Sequence, residues 1–221
     1  MPDFPRVTEI CSGIVFDFNG TLFWDTQFHN LAWIEYCSKF GITLTSEELF
    51  RKFHGKPNDR ILTELFEGRL TPNEIQKASN EKEDIYQKIC LQEKLPLAPG
   101  VERLLEKLKE IDFPFTIATA SMQRNVDFYF QHLNLGRWVD YDKYIFHDGT
   151  LPGKPDPTVY LRAMAKIGLT PDQTLVFEDA PSGIQAAVNA HAAQIILVNS
   201  DDEDYSMYPY RVIRSFDEIE V

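Results

Sequence analysis

Short apolar runs rich in β-branched and aromatic residues recur along the chain, separated by segments with helical periodicity. The runs are GIVFDF (13–18), FPFTIAT (113–119), KYIF (143–146), TLVFED (174–179) and AQIILVN (193–199). Their nearly continuous apolar character is typical of strands that are buried on both faces of a parallel sheet. Because helical periods separate most of these runs, the sequence predicts an α/β fold with a doubly wound parallel sheet.

The stretch between the first two predicted strands breaks this alternation. Residues 25–96 carry several helical patterns and no strand pattern. Trp33 and the other aromatic residues of its first helical segment stand at helical spacing, which favours a packed helical core. We therefore expect two domains, an α/β core domain formed by residues 1–24 and 97–221 and an all-helical cap domain formed by residues 25–96.

The acidic composition limits the partners of the protein. The 221 residues have a formal net charge of −12 and a pI of about 4.8, which disfavours binding to nucleic acid or to anionic membranes. The sequence has no apolar run of the roughly 18 residues that span a bilayer and no recognisable secretory signal. The three cysteines show no motif spacing and are expected to be free thiols. We expect a cytoplasmic monomer.

Polar residues follow the predicted strands at the points where these strands end. Since ligands bind outside the carboxyl ends of the strands in an open α/β sheet, we expect these side chains to converge. They are Asp17, Asn19, Thr119, Ser121, Lys154, Glu178 and Asp179. Each residue alone is more typical of a turn, a helix cap or a solvated loop. Together they provide hard oxygen ligands for Mg²⁺, and a cation and hydroxyl donors for phosphate.

Four sequence motifs carry a family resemblance. They are DFNGT (17–21), TAS (119–121), GKPDP (153–157) and EDAPSGIQAA (178–187). In this order and spacing, with a helical insertion after the first, they resemble the haloacid dehalogenase-like superfamily. Within it, the chain is most similar to the β-phosphoglucomutase-like phosphatases.

The resemblance implies that Asp17 is a nucleophile that attacks phosphorus and becomes an aspartyl phosphate. It also implies that Mg²⁺ is held by Asp17, by the backbone carbonyl of Asn19 and by Asp179. Glu178 would either bind the metal or orient its other ligands.

The resemblance assigns the remaining polar residues of the α/β domain to the transferred phosphoryl group. Thr119 and the backbone N–H of Ala120 would bind it, and Ser121 is a further candidate ligand. Lys154 would neutralise charge between the phosphoryl group and the nucleophile. These roles are positioning and electrostatic stabilisation, which phosphoryl transfer requires.

In the helical segment, the resemblance suggests His29, Gly55, Lys56 and Lys82 as residues that contact the substrate. A histidine with satisfied hydrogen bonds on a core face of the helix is the plainer interpretation of His29. Asn58 stands where the mutases have an arginine that binds the sugar phosphate. This difference weakens the expectation of a substrate with a second phosphate.

Asn19 occupies the position at which the family usually has an aspartate that acts as general acid and base. An amide cannot transfer a proton at neutral pH, a contribution that is typically worth 10²–10⁴-fold. The expected function is a Mg²⁺-dependent phosphatase for small phosphorylated metabolites, including sugar phosphates, that is slowed by Asn19. The alternatives are a phospholigand-binding pseudoenzyme, a substitution that traps a complex, deamidation of Asn19 to aspartate, and, least favoured, a β-phosphoglucomutase-type mutase.

Overall fold

The chain consists of two compact units in a computed structural model that describes residues 5–54 and 56–221. One unit, called the α/β unit below, contains the described residues up to Trp24 together with Pro96–Val221. The other, called the helical unit, is Asp25–Leu95. The predicted substrate residue Gly55 lies outside the described residues.

A six-stranded sheet forms the centre of the α/β unit. Its strands are β1 (Gly13–Phe16), β2 (Phe115–Met122), β3 (Ile145–His147), β4 (Thr174–Glu178), β5 (Gln194–Val198) and β6 (Arg211–Ile213). The strands pair in parallel in the order β3-β2-β1-β4-β5-β6. Every residue of β1 and β4 is buried, which explains their continuous apolar sequences. The strand order switches at β1, because β2 and β3 lie on one side of it and β4, β5 and β6 lie on the other. Such a switch point is where open α/β sheets bind ligands.

Five helices accompany the sheet in the described part of this unit. They are α1 (Val7–Ile10), α6 (Val101–Glu110), α7 (Gln123–His132), α8 (Thr158–Lys166) and α9 (Pro181–Asn189). Val15 and Val176 of the sheet pack with Tyr160, Met164 and Ile184 of α8 and α9 in one apolar cluster. The predicted doubly wound α/β fold is confirmed.

The helical unit contains α2 (Thr26–Ser38), α3 (Ser46–Phe53), α4 (Asn58–Leu65) and α5 (Pro72–Glu93). Thr45 caps α3, because its hydroxyl accepts from the backbone N–H of Glu48 while Glu48 accepts from the backbone N–H of Thr45. Trp33 and Tyr36 are buried in one cluster with residues of α3, α4 and α5, so the predicted helical core forms around these aromatic side chains.

The sequence failed to predict the edge strand β6, which has three residues, of which only Ile213 is buried. So short and polar an element lacks the apolar run by which the other strands were recognised. In the part of the chain that the structure describes, no helix has both the length and the hydrophobicity needed to cross a membrane.

Candidate active site

The polar residues predicted at the strand ends are brought together at one edge of the sheet. Asp17 follows β1, and Glu178 is the last residue of the adjacent strand β4. Thr119 lies in β2, the other neighbour of β1. Lys154 lies in the loop between β3 and α8. This edge includes the switch point of the sheet.

Lys154 links two buried carboxylates. Its Nζ atom donates to Oδ1 of Asp17 at 2.5 Å and to Oε1 of Glu178 at 2.6 Å. Burial raises the pKa of Asp17 well above its ordinary value, and Glu178 and Asp179 raise it further, whereas Lys154 lowers it. Burial alone would lower the pKa of Lys154, but Asp17 and Glu178 outweigh burial and raise it, so the lysine is cationic. Lys154 is therefore paired with two buried carboxylates, and a third, that of Asp179, lies beside them.

Glu178 is held by four hydrogen bonds. Its Oε1 atom accepts from Lys154 and from the hydroxyl of Tyr160 at 2.7 Å. Its Oε2 atom accepts from the backbone N–H groups of Asp179 and Ala180 at 2.7 and 2.8 Å. The carboxylate also lies against Gly183 of α9, where an added Cβ would stand 1.5 Å from Oε1. The small residue in the fourth motif is therefore required for the position of Glu178.

Asp179 connects β4 to the loop that follows β1. Its Oδ1 atom accepts from the hydroxyl of Thr21 at 2.9 Å. Gly20 has a φ of +81°, and a Cβ at this position would lie 2.1 Å from Oδ2 of Asp179. Glycine is needed here both for the left-handed turn and for this close approach.

The acidic residues fit a divalent metal ion. Asp17, Glu178 and Asp179 each offer a carboxylate oxygen, and these atoms lie within 4.8 Å of one another. All three residues are buried. Hard oxygen ligands suit Mg²⁺, and the negative charge left after pairing with Lys154 favours a cation.

Asn19, only two residues from Asp17, forms hydrogen bonds with three hydroxyl groups. Its Oδ1 atom accepts from the hydroxyls of Thr119 at 3.1 Å and Ser121 at 2.7 Å. Its Nδ2 atom donates to the hydroxyl of Tyr129 at 2.8 Å. The backbone N–H of Ser121 donates to Oγ1 of Thr119, which leaves the Thr119 hydroxyl proton for Asn19.

The residues predicted in the helical segment form their own contacts within the helical unit. Lys82 is buried, with Nζ 2.6 Å from Nδ1 of His29 and 3.0 Å from Oε1 of Glu83. Asn58 donates to the same Glu83 oxygen at 2.6 Å. Lys56 pairs with Glu64 at 2.8 Å on the surface.

The sequence did not predict two tyrosines that contact site residues. Tyr129 lies in the middle of α7 and Tyr160 in α8, and both are fully buried. Their spacing is that of ordinary core residues, so nothing in the sequence marks their hydroxyl groups as part of the site.

Comparison with known proteins identifies the family to which the chain belongs. The chain matches the family model for haloacid dehalogenase-like hydrolases over residues 14–197 and belongs to this family. The predicted family and the predicted class of enzyme, a haloacid dehalogenase-like hydrolase, are confirmed.

Named relatives and solved structures agree with this family. A phosphorylated carbohydrates phosphatase of Thermotoga maritima is 29% identical over 185 residues, which cover 82% of this chain and 82% of the relative. A fructose-1-phosphate phosphatase of Escherichia coli is 28% identical over 184 residues, covering 81% of this chain and 92% of the relative. The crystal structure of a haloacid dehalogenase hydrolase, family IA, variant 3, from Entamoeba histolytica matches with a TM-score of 0.87 and 33% identity, covering 95% of this chain and 96% of the other.

Proposed function

We propose that this protein is a Mg²⁺-dependent phosphatase that hydrolyses small phosphorylated metabolites, sugar phosphates in particular, through an aspartyl phosphate on Asp17. The observation that carries the proposal is the buried contact of 2.5 Å between Asp17 and Lys154, next to Glu178 and Asp179. Burying such a set of charges costs stability, and groups of this kind cluster at functional sites. The names of the two sugar phosphatases among its relatives support the substrate class.

In the proposed reaction, an oxygen of Asp17 forms a bond to phosphorus while the bond from phosphorus to the ester oxygen breaks. The electron pair of that bond goes to the leaving oxygen. Water then attacks the aspartyl phosphate, which releases phosphate and restores the carboxylate. Lys154 offsets negative charge beside Asp17, and Thr119, Ser121 and the N–H of Ala120 supply hydrogen bonds to the phosphoryl oxygens.

Asp17, Asp179 and the backbone carbonyl of Asn19 would hold Mg²⁺. When bound, the ion supplies positive charge that offsets the charge on the phosphoryl oxygens. The four hydrogen bonds to Glu178 favour a role in orienting Lys154 and the chain around Asp179.

Asn19 restricts which leaving groups the enzyme can expel rapidly. The amide donates a hydrogen bond but transfers no proton, so the leaving oxygen departs with its negative charge. Phosphorylated compounds with acidic leaving groups, such as acyl phosphates and nitrophenyl esters, are therefore the faster substrates. A mutase, which needs repeated proton transfer, is disfavoured.

The helical unit bears on the choice of substrate. We retain the prediction that His29, Lys56 and Lys82 contact it. Because Lys82 is paired with Glu83, which also accepts from Asn58, this cluster suits the hydroxyl groups of a monophosphate better than a second phosphate.

The test is Mg²⁺-dependent phosphate release from acetyl phosphate, p-nitrophenyl phosphate and a panel of sugar phosphates. We expect chelation of the metal to abolish release and Asp17→Asn to lower it by at least ~10³-fold. Release that continues in Asp17→Asn would overturn the proposal. Calorimetric binding of a sugar phosphate without any release would instead favour the pseudoenzyme.

A further inference from the structure

Three hydroxyl groups surround the amide of Asn19, and they have different relations to the proposed reaction. Thr119 and Ser121 donate to Oδ1, at the end of β2 where the proposed function places the phosphoryl group. Tyr129 accepts from Nδ2. Phosphoryl oxygens would compete with Oδ1 for the protons of Thr119 and Ser121. The hydrogen bond from Nδ2 to the Tyr129 hydroxyl involves no group that binds phosphate and would persist.

The position of the Tyr129 hydroxyl is fixed by packing. Tyr129 is fully buried in α7, with its ring centroid 4.5 Å from that of Phe18 and 5.9 Å from that of Phe23. Both phenylalanines belong to the loop that carries Asn19, so the tyrosine and the amide share one rigid apolar support.

We propose that Tyr129 is a positioning residue for Asn19, whose hydroxyl holds one amide hydrogen and directs the other towards the reacting phosphoryl group and its leaving oxygen. The inference rests on the proposed function. An amide nitrogen carries two hydrogens in one plane, so fixing the direction of one fixes the direction of the other. A hydrogen bond to the leaving oxygen strengthens as negative charge develops there, and it therefore acts mainly on kcat.

The first test compares Tyr129→Phe with wild type on aryl phosphates whose leaving groups range from p-nitrophenol to phenol. Phenylalanine retains the ring packing and removes the hydroxyl. We expect kcat to fall about 10-fold for phenyl phosphate and about 2-fold for p-nitrophenyl phosphate, with little change in KM, since a poorer leaving group depends more on the hydrogen bond. A loss that is equal for all leaving groups would overturn the proposal.

The control is Tyr141→Phe. The Tyr141 ring packs against Phe130 of α7, with 4.9 Å between the ring centroids, and its hydroxyl donates to Asp127 at 2.6 Å. We expect this variant to change kcat by less than about 2-fold for either ester. Equal dependence on the leaving group in both variants would overturn the role assigned to Tyr129.

A second readout does not require activity. Deamidation of Asn19 needs the nitrogen of Gly20 to attack Cγ of Asn19 and expel ammonia, after which water opens the cyclic imide. Gly20 donates to the carbonyl of Phe23 at 2.7 Å, and the amide is held by its three hydroxyl contacts. Peptide mass spectrometry of aged protein should show severalfold faster deamidation in Tyr129→Phe than in Tyr141→Phe.

Equal rates of deamidation in these two variants would contradict anchoring by Tyr129. Failure of the proposed function is recognised separately, because wild-type protein would then release no phosphate from any ester, while the contrast in deamidation would persist.

Discussion

Asp17 and Asn19 stand two residues apart on one loop, yet their surroundings differ in charge. On the Asp17 side, Lys154 bridges two buried carboxylates, and a third carboxylate lies beside them. On the Asn19 side, hydroxyl groups surround a neutral amide. The Asp17 side can supply a nucleophile and a metal site, whereas the Asn19 side supplies hydrogen bonds between hydroxyl groups and an amide. In our account, the Asp17 side forms the bond to phosphorus. The Asn19 side donates a hydrogen bond to the leaving group but does not protonate it.

Removing Lys154, the cation paired with Asp17, should have the largest effect. We expect Lys154→Met to lower kcat/KM by about 10³-fold and the free energy of unfolding by about 3 kcal/mol, because two buried carboxylates lose their partner. Lys166→Met, on the exposed end of α8, is the control and should change neither quantity appreciably.

The pH dependence of Lys154→Met sharpens the same test. Burial raises the pKa of Asp17, so its neutral form, which needs no cation, is favoured as the pH falls. In metal-free buffer, the loss of stability relative to wild type should therefore shrink towards acidic pH and grow towards alkaline pH. Urea unfolding at several pH values measures this, and a loss independent of pH would contradict it.

Asn19→Asp replaces the amide beside Thr119, Ser121 and Tyr129 with a carboxyl group. A carboxyl group at this position can transfer a proton, so kcat for phenyl phosphate should rise by about 10²-fold. The gain should be much smaller for acetyl phosphate, whose leaving group needs no protonation. Equal gains on both substrates would show that Asn19 does not limit protonation of the leaving group.

Gly183→Ala tests the packing that holds Glu178. The added Cβ would meet Oε1 of a carboxylate that four hydrogen bonds hold in place, so we expect a loss of about 2 kcal/mol in the free energy of unfolding. Gly136→Ala is the control, because the nearest atom to its Cβ, Cδ1 of Phe130, would be 3.9 Å away. Chemical denaturation of the two variants should separate them clearly.

Among these substitutions, Tyr160→Phe should cause the smallest loss in the free energy of unfolding. Burial raises the pKa of Tyr160 well above its ordinary value, so its hydroxyl remains a donor to Glu178 throughout the working range of pH. Removing this donor should cost about 1 kcal/mol of stability. Tyr141→Phe removes an exposed hydrogen bond to Asp127 and should cost less, as thermal unfolding of both variants would show.

The two sides of the site also differ in how much the sequence revealed. Asp17, Lys154 and Glu178 were predicted to lie together because charged residues stand out at the ends of apolar strands, and parallel strands end at one edge. The apolar runs also predicted strands β1 to β5 but not the short edge strand β6, and the order of the strands came only from the structure. Strand and helix ends shifted by a few residues, as for KYIF (143–146), which became Ile145–His147.

The contacts of Asn19 could not be predicted. Tyr129 is 110 positions away, in the middle of a helix whose aromatic residues have the spacing of a core. Periodicity reports which face of a helix is buried, but it does not tell which buried hydroxyl meets a polar group of another element. That information exists only once the helices have packed on the sheet.

The most direct test of the central claim is to locate the phosphoryl group on the enzyme. The protein would be quenched with acid during turnover of acetyl phosphate with Mg²⁺, digested, and analysed by peptide mass spectrometry. Our account predicts phosphate on the peptide that contains Asp17 and none on that peptide in Asp17→Asn. Phosphate on a different residue, or undiminished turnover in Asp17→Asn, would contradict it.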